Sequence, residues 1–255
     1  MIKKRKKKMI IACLIGFYLL SGCTSNENKQ FNNEPSQKIF NDAQAALDNN
    51  NYVVAISLYE QLQSQYPFSI HKIQAELNLI YSYYRTNQYP EALSYINKFI
   101  RLNPNHPDLD YLYYMKGVIS MHMQGNDLHE FFNIERYDRD NHYLKEAFNA
   151  FDYLLLEYKN SKYVYDARLR MIWIKNQLAR YEMQVADYYF KIQAWVAALD
   201  RANEVFLAYT GSSETQAALE MMYLCYVNLS QKKLAEDTLK VIKASFPQSY
   251  LAKTP

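Results

Sequence analysis

The sequence predicts an all-α fold, a right-handed α-solenoid of five helix pairs. Three observations predict it. Glycine and proline are scarce, five and seven in 255 residues, and no Val/Ile-rich alternation of the strand type occurs after Ser36. A small residue, large apolar residues and a proline recur at fixed offsets, the mark of an internal repeat. The intervals between copies are equal except where extra chain has been added.

The pattern is read from the alanines. "NYVVAISLYEQLQSQYP" places Ala55, Tyr59, Leu62 and Pro67 at offsets 0, +4, +7 and +12. Ala92, Ile96, Phe99 and Pro104 repeat it, and so do Ala235, Leu239, Ile242 and Pro247. Ala147, Phe151 and Leu154 form a fourth copy, and Ala198, Ala202 and Val205 a fifth, both without the proline. Offsets of four and seven share one helical face, so these residues form a core stripe. Alanine fits where two helices touch most closely, and proline ends the helix because it lacks a donor and clashes with the preceding turn. These are the second helices of tetratricopeptide-type pairs. The first helices centre twelve residues earlier, near Ala43, Ile80, Ala186 and Tyr223.

The intervals carry information. Ala55 to Ala92 and Ala198 to Ala235 are both 37 residues, whereas Ala92 to Ala147 is 55 and Ala147 to Ala198 is 51. The first excess is an insertion in repeat three at 125–142, "GNDLHEFFNIERYDRDNH". The second lengthens the run 163–191, which has no glycine or proline. Long insertions in a compact array are usually functional. In the insertion Arg136 and Arg139 alternate with Glu135, Asp138 and Asp140. They make either a partner-contact loop or a self-paired one, with Asp140 or Asn141 capping a helix that starts near Tyr143.

A solenoid presents a concave surface lined by its first helices. Repeat one offers Gln37, Phe40, Gln44, Leu47 and Asp48. Repeat two offers Gln74, Leu77, Tyr81, Tyr84 and Arg85, and repeat three Tyr111, Tyr114, Val118, Met121 and His122. Rings for apolar side chains, amides for backbone and Arg85 for a carboxylate suit an extended peptide. The same tyrosines also read as ordinary half-buried helix residues of a Tyr-rich chain.

The N-terminus is a separate unit. Six basic residues at 3–8 precede an apolar stretch from Met9 to Leu20, too short for the roughly 20 residues that span a bilayer. "LSGC" at 20–23 resembles a lipobox, which implies cleavage before Cys23 and an S-diacylglycerol and N-palmitoyl group upon it. The plainer reading is a secretory signal with a chance cysteine. Residues 24–35 read as a polar tether reaching on the order of 15–20 Å. The divisions are therefore a signal at 1–22, a lipidated tether at 23–35, repeats one to three at 36–160 and repeats four and five at 161–255. Removing the signal, with its six cations, turns the formal charge from +3 to −3. Without a basic surface there is no case for nucleic-acid binding. With Cys23 lipidated, Cys225 stands alone in an apolar helical stretch, and no disulfide is expected.

Catalysis finds no support. Five glycines leave no phosphate-cradling loop, and His71, His106, His122, His129 and His142 make no HExxH-type spacing. No cofactor or metal is expected beyond the lipid.

Several stretches go beyond a generic repeat: "FIRLNPNHPDLDYLYYMKG", "FFNIERYDRD", "LARYEMQVADYYFKIQAWVAALDRANEVF" and "KKLAEDT". With the lipobox they resemble the BamD family, the lipoprotein subunit of the outer-membrane β-barrel assembly machinery. The resemblance implies an anchor in the outer membrane, facing the periplasm, and Thr24 after the cysteine fits release to that membrane. It implies that the N-terminal repeats meet the C-terminal signal of unfolded barrel precursors. It further implies that the C-terminal repeats hold the barrel subunit BamA, with accessory lipoproteins as further partners. Arg201 matches a family arginine associated with the BamA contact. By its offset it points away from the core stripe, which also fits plain solvation. The missing prolines after repeats three and four depart from the pattern. The alternative is another tetratricopeptide lipoprotein, a pilotin or a cell-division coordinator.

Overall fold

The computed structural model describes residues 34–124 and 141–253; the signal, Cys23 and its tether as far as residue 33, and Arg136 and Arg139 lie outside them, while residues 34 and 35, assigned to the tether by their polar sequence, already belong to the first helix. Ten α-helices follow one another, with no strand among the described residues. They are α1 (Glu34–Asp48), α2 (Tyr52–Gln65), α3 (Lys72–Arg85), α4 (Tyr89–Leu102), α5 (Leu109–Gln124), α6 (His142–Glu157), α7 (Val164–Lys191), α8 (Trp195–Ala208), α9 (Thr215–Asn228) and α10 (Lys232–Ser245). A one-turn 3₁₀ helix, Leu251–Lys253, closes the series. Each helix packs on the next, and α1 also meets α3 and α7 meets α9, so the chain is a stack of antiparallel pairs.

The core stripe lies where the offsets put it. Ala55, Tyr59, Ala92, Ile96, Ala147, Phe151, Leu154, Ala198, Ala202 and Val205 have no exposed surface, and Leu62 and Phe99 keep 1%. In the last pair Ile242 is buried while Leu239 is half-buried. Beyond this pair, α9 and α10, the 3₁₀ turn packs on α10.

Within pairs, the turn is made by the backbone. Asn50, Asn87, Gln193 and Ser230 sit five residues before their alanines with φ between 57° and 60°. At each, two hydrogen bonds close the helix end. Asn50 N–H reaches Leu47 O and Asn51 N–H reaches Ala46 O, and the same two spans recur at 87/88, 193/194 and 230/231. This is the Schellman arrangement, which satisfies the last carbonyls with a left-handed residue. The corresponding point of repeat three falls in the insertion, outside the described residues. Its second helix starts after Asn141, whose side chain makes no cap hydrogen bond, so the capping expected of it is not made.

Between pairs, all five second helices end in one register, with or without proline. The residue eleven after the alanine caps the helix: Tyr66, Asn103, Tyr158, Tyr209 and Phe246 each return N–H to the carbonyl four residues before. Three residues on, Ser69, His106, Ser161, Ser212 and Ser249 donate N–H to that cap's carbonyl. Ser69, Ser161 and Ser249 Oγ, and His106 Nδ1, then accept from the backbone N–H two residues further. Proline is thus dispensable to this register, because the same cap and turn hydrogen bonds form in the two repeats that lack it.

Two features set the middle of the stack. Gly117 lets α5 and α6 meet closely: a Cβ there would lie 2.4 Å from the Phe151 ring. The run 163–191 forms one unbroken helix, α7, of 28 residues. Its first half packs Ala167, Ile174 and Leu178 with α5 and α6. Its second half packs Ala179, Met183 and Ala186 with α8 and α9. The fourteen added residues amount to about 21 Å of helix.

Candidate binding groove

The groove is built from α1, α3, α5 and the start of α7. At one end the amides bond to one another. Asn78 donates to Gln44 at 2.9 Å and to the Tyr59 hydroxyl at 2.8 Å, Gln74 donates to Asn78 at 2.9 Å, and Gln37 meets His71 at 2.7 Å. Their hydrogen-bonding capacity is largely engaged within the protein. Leu77 and Val118, assigned to the groove by repeat position, are core residues, 8% and 5% exposed. Leu77 on α3 and Val118 on α5 pack into the core between helices rather than lining the channel.

The tyrosines come together. Arg85, exposed at the end of α3, donates from Nη1 to the Tyr81 hydroxyl at 2.6 Å and lies 4.6 Å from the Tyr52 ring centroid. The Tyr81 hydrogen bond holds the Arg85 guanidinium above its ordinary pKa. Among the described residues no carboxylate pairs with Arg85. Tyr84 sits against Tyr89 and His122, ring centroids 6.3 and 5.8 Å away. Tyr111 is half-buried, and its hydroxyl is pushed well up by burial and by its neighbours Tyr163, Tyr81 and Tyr84. Tyr111 and Tyr114 both meet Tyr163, the latter stacked at 4.6 Å.

The far end is fixed by a three-way contact. Tyr114 donates its hydroxyl to Asp166 at 2.7 Å, and Arg170 Nε donates to the same oxygen at 2.5 Å. Partial burial raises the Asp166 carboxyl, but the hydrogen bonds from Arg170 and Tyr114 outweigh it and leave it below its usual value. Nearby, Ser161 donates to Asp110 at 2.7 Å. Together these tie the start of α7 to α5.

Of the residues singled out in the sequence, Tyr81, Tyr84, Arg85, Tyr111 and Tyr114 therefore share one surface. Tyr52, Tyr89, Tyr163, Asp166 and Arg170 join them and were not singled out. Tyr52 and Tyr89 carried a signal: both stand three residues before their alanines, as Trp195 does. Asp166 and Arg170 carried none, since they act through a partner 52 residues away.

Arg201 lies elsewhere. It projects from α8 into the walls of two clefts, of about 740 and 410 Å³, formed with the second half of α7. Its Nη1 donates to Glu182 at 3.0 Å. Cys225 is buried, and burial pushes its thiol up to about 11. Among the described residues no group of His, Cys, Asp and Glu could hold a metal ion, and no helix is long and apolar enough to cross a membrane.

Five helix pairs in one offset register, four of them closed by Schellman turns, and presenting a ring-lined channel, define a tetratricopeptide-type repeat protein. The profile of the YfiO family, described as outer membrane lipoprotein, matches residues 32–242, and the chain belongs to that family. The outer membrane protein assembly factor BamD of Vibrio cholerae is 36% identical over 237 residues, covering 93% of this chain and 98% of the relative. The same factor of Neisseria meningitidis serogroup B is 34% identical over 254 residues, covering 98% and 95%. Among solved structures, the TPR2AB domain–pHSP90 complex of yeast Sti1 has a TM-score of 0.39 at 14% identity, covering 86% of this chain and 80% of that one. Likenesses that distant decide nothing about ligands or partners.

Proposed function

We propose that this protein is a lipid-anchored periplasmic scaffold of outer-membrane β-barrel assembly. It is held to the outer membrane through Cys23, grips the C-terminal signal of unfolded barrel precursors in the tyrosine groove, and holds BamA through its C-terminal repeats. The observation that carries this reading is the family match along residues 32–242, whose relatives are named assembly factors over almost their whole length. The groove supports it. Arg85 spends one of its five donors on Tyr81 and keeps the others for a ligand. The surrounding rings suit an aromatic side chain next to a terminal carboxylate. Arg201 belongs to the surface offered to BamA, and Arg136 and Arg139 of the insertion to a further partner contact. The work is binding and positioning, without a catalytic step.

A fluorescence-anisotropy titration with a labelled C-terminal barrel peptide tests the reading. Losing an aromatic anchor costs about 2 kcal/mol, roughly thirtyfold in affinity, so Tyr84→Ala with Arg85→Ala is expected to weaken binding by at least that factor. An amidated peptide binds the native protein more weakly and loses little more on Arg85→Ala. Unchanged affinity in both variants would move the signal's site out of this groove.

A further inference from the structure

The turn after the first pair carries side chains that the fold does not use. Its backbone is the turn that follows every pair: Ser69 N–H returns to Tyr66 O, and Ser69 Oγ accepts from His71 N–H. Phe68 and Ile70 flank the buried Ser69 and are 89% and 72% exposed. In the other four turns Asn105, Asn160, Gly211 and Gln248 take the place of Phe68, and Pro107, Lys162, Ser213 and Tyr250 that of Ile70. A phenyl ring is therefore not needed to make the turn, and left in water it gains nothing from folding. The place of the turn in the molecule is the second observation. Gln37, one helical turn into α1, meets His71 at 2.7 Å, and Phe40 stacks on the same imidazole at 4.5 Å. The exposed turn thus stands at the corner where α1 begins, and Cys23 is eleven residues before Glu34. Lys38, next to Gln37, and Lys72, two residues past Ile70, are both exposed, while Asp42 lies a turn further along α1.

We propose that this turn is a second membrane contact: Phe68 and Ile70 enter the interfacial layer of the bilayer that holds the lipid anchor, and Lys38 and Lys72 meet anionic headgroups. This rests on the reading that Cys23 is lipidated. Interfacial binding grows with the apolar area buried and with attraction to anionic lipid. Two apolar side chains are too little to hold the protein by themselves. Acyl chains eleven residues away keep the turn at high local concentration beside the surface, so a weak contact is populated. Held at two points instead of one, the first pair meets the membrane in a fixed orientation.

The test uses the full-length protein, purified from membranes and reconstituted into vesicles of phosphatidylethanolamine and phosphatidylglycerol. An environment-sensitive fluorophore is attached at Gln65→Cys, the exposed end of α2, or at Asn160→Cys, in the third turn, as control. Cys225 is buried and Cys23 carries lipid, so neither competes for the label. Lipids with a nitroxide headgroup are expected to quench the label at 65 several-fold more than the label at 160. Phe68→Ser with Ile70→Ser, two exposed positions whose change leaves the helical circular-dichroism signal native, brings quenching at 65 down to the control's level. Lys38→Gln with Lys72→Gln lowers it in part, and so does added salt. Flotation with the vesicles is recorded for every sample. Equal quenching at both labels in protein that floats would overturn the inference alone, as would quenching at 65 that survives the double serine variant. A label at 65 that stays in water on vesicles and is shielded only when other assembly proteins are added would make the turn a protein contact, and overturn it too. Native protein that fails to float would instead overturn the lipid anchor proposed above, and this contact with it.

Discussion

Four residues, Asn50, Asn87, Gln193 and Ser230, hold the left-handed conformation without being glycine. The conformation costs an L-residue roughly 1–2 kcal/mol, less for asparagine, and glycine adopts it freely at some cost in unfolded-state entropy. Gln193→Gly is therefore expected to raise stability by about 0.5–1 kcal/mol, and Asn87→Gly by less, measured as a shift in the urea midpoint. Gly117 is the opposite case. A methyl group there meets three atoms of the Phe151 ring at 2.4–2.7 Å. Gly117→Ala should cost about 1–3 kcal/mol as an overpacked contact, and Phe151→Leu in the same chain should return part of it. Neither position announces itself in the sequence. Scarce glycine reads as helix, and only the backbone shows which glycine is a spacer and which turn lacks one.

At the scale of the element, α7 decides how the two halves of the stack are joined, and its docking rests on polar contacts as much as on the core. The bond from Tyr114 to Asp166 can be removed without changing shape. Tyr114→Phe should cost about 0.5–1.5 kcal/mol at neutral pH. The sign of its pH dependence follows from the lowered Asp166 carboxyl. A depressed carboxyl contributes stability above its unfolded pKa, near 4, and loses it as pH falls through the folded value. The gap between native and Tyr114→Phe stability should therefore narrow below about pH 4. A gap constant from pH 7 to pH 3 would show that the hydroxyl does not act through the ionised carboxylate. Asp166 and Arg170, four apart on one helix, look in the sequence like a solvated pair, and nothing there says that a tyrosine of α5 completes them.

For the whole molecule, the unusual quantity is its 25 tyrosines. Burial raises the hydroxyls of Tyr59, Tyr95, Tyr111 and Tyr114, and takes Tyr113, beside Tyr153, to about 12. A group with a raised folded pKa contributes stability that is complete below its unfolded pKa, about 10 for tyrosine, and lost as pH rises through the folded value. Alkaline unfolding should therefore begin above about pH 10. In an ultraviolet titration of the phenolate band, some tyrosines should stay neutral past that point and then ionise together with loss of the helical circular-dichroism signal. A single smooth titration with helicity intact would show that these rings are more accessible than their burial indicates.

The sequence by itself determined the helical class, the number of pairs, the core stripe and the place of both excess lengths. Those follow from periodicity, which is local and survives in any one copy of the repeat. It also marked Tyr81, Tyr84, Arg85, Tyr111 and Tyr114 for a common face, because spacings of three and four share a side of a helix. Only the tertiary structure decided that the amides of α1 and α3 bond to each other, that Leu77 and Val118 turn inward, that Tyr163, Asp166 and Arg170 complete the groove, and that Arg201 answers to Glu182. These are contacts between different helices, fixed by how each pair rotates against the next. Such rotations depend on the fit of facing side chains, which a pattern along one chain does not record.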